Sequence, residues 1–267
     1  VVEAMELIEQ SVVTLLGKGL AYKVDDDYYY DMSKSNMLGA VSHLTPDQMM
    51  TIFAERGGDP NRAGKRNPLD PMLWRARSGS DPYWPSQLGE GRPGWHIECS
   101  AIATHYLGAQ IDVQGGGSDL KFPHHEMSAA HAQSHTEVSP FAKNFMHAGM
   151  VALDGEKMSK SLGNLVFVSK LRATGVDPMA IRLTLLQHHY RSDWEWFDSE
   201  LELATMKLAN WRKAFSQSHG AINVVGDLIA VLQRDLDTPI AITVIDDWVS
   251  ATLAGDASEP SGVMAGA

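Results

Sequence analysis

Cysteine is nearly absent. The 267 residues contain one, Cys99, so no disulfide forms within the chain and a structural zinc site of four thiolates is ruled out. Cys99 is left as a buried thiol, a metal ligand or a nucleophile. Long apolar runs are missing too. No stretch of 18 apolar residues occurs, and the opening VVEAMELIEQ has neither the basic region nor the small-residue cleavage site of a secretory signal. The expectation is a cytoplasmic protein without a membrane partner. Positive charge is scarce, with 22 Lys and Arg against 33 Asp and Glu and a formal net charge of −11. That balance argues against a broad nucleic-acid-binding surface, because neutralising phosphates requires clustered cations. The modest gathering at Arg62, Lys65, Arg66, Arg75 and Arg77 reads at least as well as a solvated loop. Apolar residues at 44% and charged residues at 21% match an ordinary folded chain, built as one large domain or two modest ones.

What is there alternates in kind. Val2, Met5, Ile8, Val12 and Leu16 recur at spacings of three and four, which predicts an amphipathic helix ending at Gly17-Lys18-Gly19. A helix already under way at residue 1 leads us to expect that the native chain begins earlier. AYKV and YYYDM, separated by acidic residues, predict a β-hairpin, and PDQMMTIFAER a short helix. Residues 57–93 are rich in Pro, Gly, Arg and Asp and read as an ordered surface connection anchored by Trp74 and Trp84. Then come a helix over WHIECSAIATHYLG, a strand at IDVQ, a glycine turn, a helix over HHEMSAAHAQSH and a strand near FMHAGMVAL. Strand, glycine turn and helix in alternation favour an α/β layer with a parallel sheet, whose ligands sit at the carboxyl ends of strands. Asp177-Pro178 supplies an N-cap and first-turn proline for a helix over MAIRLTLLQ. Further helices are expected over about 199–216, 225–234 and 240–253, before a small, polar, mobile tail.

Three stretches carry chemistry. Cys99 and His124 stand 25 residues apart around the glycine turn, and a thiolate with an imidazole suits zinc, although a lone cysteine in a helix is more often a packed core residue. HHEMSAAH is not a zincin signature, since four residues separate Glu126 from His131 where HExxH requires two. QGGGSD follows a strand and precedes a helix, so its backbone could approach a ligand and Asp119 could accept hydrogen bonds from it; it is neither GxGxxG nor a Walker loop. The tetrapeptide Met-Ser-Lys-Ser occurs twice, at 32–35 and 158–161. Only the second copy has a preceding lysine and flanking glycines, a loop that could close over a polyphosphate.

Taken in order, "GRPGWHIECS", "GGGSDLKFPHHE" and "GEKMSKSLGN" strongly resemble the class I cysteinyl-tRNA synthetases and their actinobacterial relatives, the mycothiol cysteine ligases, over about residues 1–250. The resemblance implies an α/β class I synthetase-like Rossmann catalytic domain, its N-terminal part missing, followed by a C-terminal helical bundle. Residues 1–93 become the connective segment, 94–170 the second half of the catalytic domain with its KMSKS loop, 171–253 the helical domain and 254–267 a flexible tail. It further implies that zinc held by Cys99 and His124 captures a substrate thiolate, with Trp95, Gly117, Ser118, Asp119 and Val151 around the cysteinyl-adenylate and Lys157 and Lys160 on the phosphates of Mg-ATP. YYYDMSKS resembles the family's "VYFDVSKF" hairpin, so the first tetrapeptide reads as accidental.

Departures from the pattern choose between the relatives. The synthetases read HHENE, whose second glutamate ligates zinc, where this chain has Ser128; Gln114 replaces the histidine of "DIHGGG". The residues after Ser161 are acidic overall, without an obvious basic anticodon-binding module. All three point to L-cysteine, ATP and glucosaminyl-inositol as substrates and away from tRNA, with a monomer favoured. The HIGH motif and a further zinc-ligating cysteine have no counterpart here, so this chain alone is expected to bind zinc weakly and turn over little. The alternatives are a cysteinyl-tRNA synthetase and a catalytically silent zinc-binding paralogue.

Overall fold

The computed structural model describes residues 1–160, 162–217 and 222–255. They fall into two compact units, Val1–His147 and a second beginning at Ala148.

In the first unit, α1 (Met5–Gly17) buries Met5, Ile8, Val12 and Leu15, the stripe its spacing predicts. The hairpin follows as β1 (Ala21–Val24) and β2 (Asp27–Tyr30), paired Ala21 to Tyr30 through Val24 to Asp27. Helix α2 (Pro46–Glu55) opens with a capping box between Thr45 and Gln48. The stretch expected to be a surface connection contributes two strands, β3 (Met72–Ala76) and β4 (Gly91–Pro93), which complete a four-stranded antiparallel sheet in the order β1-β2-β3-β4. Its glycines mark backbone contact: a side chain on Gly94 would lie 1.9 Å from the Met72 carbonyl oxygen, and one on Gly91 2.3 Å from that of Arg75. Trp74 is fully buried, and Trp84 bridges to Gly91.

Helix α3 (Trp95–Leu107), β5 (Ile111–Gly117), α4 (Glu126–Thr136) and β6 (Ala142–Ala148) form the predicted alternation. The Ile111 N–H donates to Phe141 O, and Gly115 lies beside Met146 O. Positions on the two strands therefore rise together and the pair runs parallel, with α4 as the crossover.

The second unit starts with β7 (Val151–Leu153) and β8 (Glu156–Lys157), joined by Asp154 and Gly155 at φ 55° and 77°. Two positive values fit a tight hairpin turn. The strand expected across FMHAGMVAL is broken at Gly149, where a side chain would meet Ser192 O at 2.0 Å. After α5 (Val168–Ala173), α6 (Pro178–Leu186) opens where predicted, with the Met179 N–H donating to the Asp177 carboxylate. Strand β9 (Trp194–Glu195) pairs in parallel with β7. Helices α7 (Asp198–Phe215), α8 (Ile222–Leu232) and α9 (Thr238–Leu253) follow, with cores around Ile181, Leu201, Leu208 and Trp248. No helix among the described residues is long and apolar enough to cross a membrane. Ser161 and residues 256–267, most of the expected tail, lie outside the described residues.

Candidate active site

Gly94 admits the close strand contact that starts α3 at Trp95, and Trp95 stacks on His124 with ring centroids 4.2 Å apart. One turn along α3, Cys99 faces a cavity of about 280 Å3 that His124, Gln114 and Ser128 also line. The fold thus gathers both predicted zinc ligands and both departures from the synthetase pattern on one wall. Burial raises the Cys99 thiol, the nearby Glu98 raises it further, and a hydrogen bond from Trp95 draws it partly back. Burial lowers His124 to about 4, keeping a neutral imidazole available as a ligand. Gln114 Oε1 is buried with no hydrogen-bond partner among the described residues. The Ser128 hydroxyl donates to His96 O at 3.2 Å.

A thiol and a neutral imidazole are donors of the kind zinc takes, and here they share one cavity. A tetrahedral site draws at least three ligands from protein. Among the described residues no three His, Cys, Asp or Glu side chains gather around one point, so this donor set fits zinc in type and is one short in number.

Behind this wall lie residues to which the sequence assigned no role. His96 Nδ1 is 2.9 Å from His124 Nδ1; with His124 as the donor of this pair, its Nε2 keeps the lone pair that a metal takes. His125 Nδ1 pairs with His147 Nε2 at 2.8 Å. Burial, with the neighbouring His147 and His124, lowers His125 to about 4. His131 is fully buried, and burial with a contribution from His124 lowers it to about 3, against a hydrogen bond with the His96 backbone that raises it. Glu126, also fully buried, accepts the backbone N–H groups of Gly39, Val41 and Ser42 at 3.2, 2.9 and 2.6 Å, tying that loop to the start of α4. The position of His96 directly after Trp95 was its only sequence signal.

The glycine turn is held from both sides. A side chain on Gly116 would press on the His125 ring at 3.0 Å. Gly117, Ser118 and Asp119 leave β5 as a short turn, and Arg56, just past α2, donates through Nη1 to the carbonyl oxygens of Asp119 and Phe122. The charge of Asp119 opposes the lowering of His125, which places its carboxylate near that ring.

Val151, Lys157 and Lys160 belong to the second unit. Val151 begins β7 and packs on that unit's core, as does Met158. Lys157 ends β8 and Lys160 follows on the loop leaving it, both exposed. The Asn164 side chain accepts the Ser159 N–H at 2.8 Å and donates to Lys157 O at 3.2 Å, holding that loop in a turn.

Residues 1–206 match the family of tRNA synthetases class I (C) catalytic domain. Over 270 residues the chain is 53% identical to a protein of Thermomonospora curvata named L-cysteine:1D-myo-inositol 2-amino-2-deoxy-alpha-D-glucopyranoside ligase, an alignment covering 99% of this chain and 65% of that protein. A protein of the same name from Frankia casuarinae is 54% identical over 257 residues, 95% of this chain and 55% of the relative. The chain thus spans between about half and two thirds of the length of these relatives. A solved structure assigned as an arginyl t-RNA synthetase from Campylobacter jejuni shares the fold, with a TM-score of 0.51 at 15% identity over 95% of this chain and 54% of its own.

Proposed function

The chain belongs to the family of class I (C) tRNA synthetase catalytic domains, and from that premise we propose that the protein it comes from joins L-cysteine to the amine of glucosaminyl-inositol, using ATP. The observation that carries this reading is the cavity wall of Cys99 and His124 with Ser128 and Gln114 beside them, the two positions at which the chain leaves the synthetase pattern. The relatives' names agree with it, at 53% and 54% identity.

The reaction has two steps. The carboxylate of cysteine attacks the α-phosphate of ATP, forming cysteinyl-adenylate and releasing pyrophosphate. The sugar amine then attacks the acyl carbonyl, forming an amide and releasing AMP. Cys99 and His124 would hold zinc with a donor from outside the described residues; when bound, that ion would take the substrate's sulfur and favour cysteine over serine. Trp95 covers the adenylate, and Gly117, Ser118 and Asp119 contact its ribose, the glycine turn giving the close backbone approach this needs. Val151 contacts adenine. Lys157 and Lys160 act on the phosphates, stabilising the charge that develops as pyrophosphate leaves. A cytoplasmic location is part of the same reading, since the reaction draws on ATP.

The test uses the full-length protein with zinc, Mg-ATP and cysteine, offering glucosaminyl-inositol and tRNA separately while AMP release and acceptor mass are followed. Cysteine in amide linkage on the sugar is the expected product. Cysteine on tRNA would make the protein a compact synthetase, and no AMP release with either acceptor would leave a silent paralogue.

A further inference from the structure

A cavity of about 460 Å3 in the first unit lies between β2, β3 and β4 on one side and the segment following α2 on the other, and ends on Trp95 and His96. That volume falls within the roughly 300–1,000 Å3 of small-molecule sites. Arg56, Arg62, Arg75 and Arg92 face it against the carboxylates of Asp27 and Asp59, an excess of cations in a chain whose total is −11. Several of these groups are already engaged. Arg62 pairs with Asp25 at 2.9 Å and Asp27 at 3.3 Å, and Asp59 accepts from Tyr29 at 2.5 Å and Lys65 at 2.9 Å. Two arginines keep spare donors: the Arg75 guanidinium has no ion pair or hydrogen bond among the described residues, and Arg92 has a single 3.7 Å pair with Asp81 while its Nε is buried without a partner.

We propose that this cavity is the acceptor pocket and takes the amino-polyol in its neutral form, with Arg75 and Arg92 donating to its hydroxyl groups. The inference rests on the ligase reading above. Arginine N–H groups with no partner suit hydroxyl oxygens, and the surplus positive charge disfavours an ammonium ion, leaving the free amine that attacks a carbonyl. Trp95 joins the pocket to the chemistry: it lines this cavity, is 54% exposed, and stacks on His124 of the Cys99 wall. Arg56 makes a second link, since it faces the cavity while binding the backbone of Asp119 and Phe122.

The test changes Arg75→Ala and Arg92→Gln, singly and together, in the full-length protein, with two readouts. Cysteine-dependent ATP–pyrophosphate exchange needs no acceptor and reports folding and activation. Amide formation at varied glucosaminyl-inositol, with calorimetric titration of the same sugar, reports the pocket. The expected result is exchange within about twofold of the parent, with KM and Kd for the sugar raised about tenfold for Arg75→Ala, the scale of a lost charged hydrogen bond. An unchanged sugar KM with intact exchange overturns the proposal, as does loss of exchange, which would assign the arginines to activation. Competition by inorganic phosphate that the arginine variants abolish while the sugar KM stays constant would make the cavity an anion site instead. If the parent forms no amide on the sugar at all, the ligase reading has failed and takes the pocket assignment with it.

Discussion

The two units treat polar groups in opposite ways. Among the described residues every buried carboxylate and imidazole lies in the first unit, namely Asp31, Asp70, His124, His125, Glu126, His131 and His147; the second unit's buried polar residues are Thr184 and Thr252. The repeated tetrapeptide shows the difference in miniature. The first copy is locked inward. Met32 is 1% exposed and its N–H donates to buried Asp70, which also accepts from Tyr22 and Asn67, while Asp31 caps Ser33. The second copy likewise packs its methionine, Met158, and exposes its lysine, but its backbone is held by Asn164 on an exposed loop and not by a buried carboxylate. Identical letters thus serve as a structural plug in one unit and a cationic loop in the other, and the partners of the backbone decide which.

The sharpest way to break this contrast is to remove one lysine from each copy. Lys160→Ala should lower cysteine-dependent ATP–pyrophosphate exchange by about a hundred- to a thousandfold, the scale of losing a group that stabilises transition-state charge, without shifting the unfolding midpoint. Lys34→Ala, at an exposed position of the first copy, should leave exchange unchanged. Equal effects on exchange would mean that the duplication is functional after all.

The converse change acts on stability. Asp70→Ala strands the donors of Tyr22, Met32 and Asn67, and should cost about 3 kcal/mol in denaturant unfolding. A loss below about 1 kcal/mol would show that the first copy is not fastened as described.

The buried histidines give the first unit an acid limb. His131 has a folded-state value of about 3 against an ordinary 6.5, so between those values the unfolded chain binds the extra proton and stability falls as pH falls. Its contribution is complete above about 6.5 and lost progressively below. His131→Leu should flatten the curve there by up to about 1.4 kcal/mol per pH unit, read from denaturation at pH 7.5, 6 and 5. An unchanged slope would mean that His131 takes up a proton in the folded state.

Much of this was legible from the residues. The hairpin, the capped start at Asp177-Pro178 and the strand–glycine–helix alternation rest on local chemistry. Strands β3 and β4 were not, because Gly91 and Gly94 read as loop residues until the facing backbone shows why nothing larger fits. The gathering of Cys99, His124, Gln114 and Ser128 came only as positions of a family pattern; the fold supplies the shared cavity. Arg56 was invisible, because it reaches 63 residues along the chain to Asp119 and no local pattern marks such a contact.

The smallest expected effect separates holding a loop from doing its chemistry. Asn164 acts through the backbone, taking the Ser159 N–H and giving to Lys157 O. Asn164→Ala should change stability by less than about 1 kcal/mol, because the freed groups reach water at this exposed turn. Exchange should slow by about threefold as the lysines lose their preset geometry, with the drop in kcat and KM for cysteine unmoved. Asn164→Asp keeps the acceptor for Ser159 and loses the donor to Lys157, so it should fall between the two. If Asn164→Ala instead matches Lys160→Ala, the turn itself rather than the lysine charge carries the step, and the second copy would resemble the first in being defined by its backbone partners.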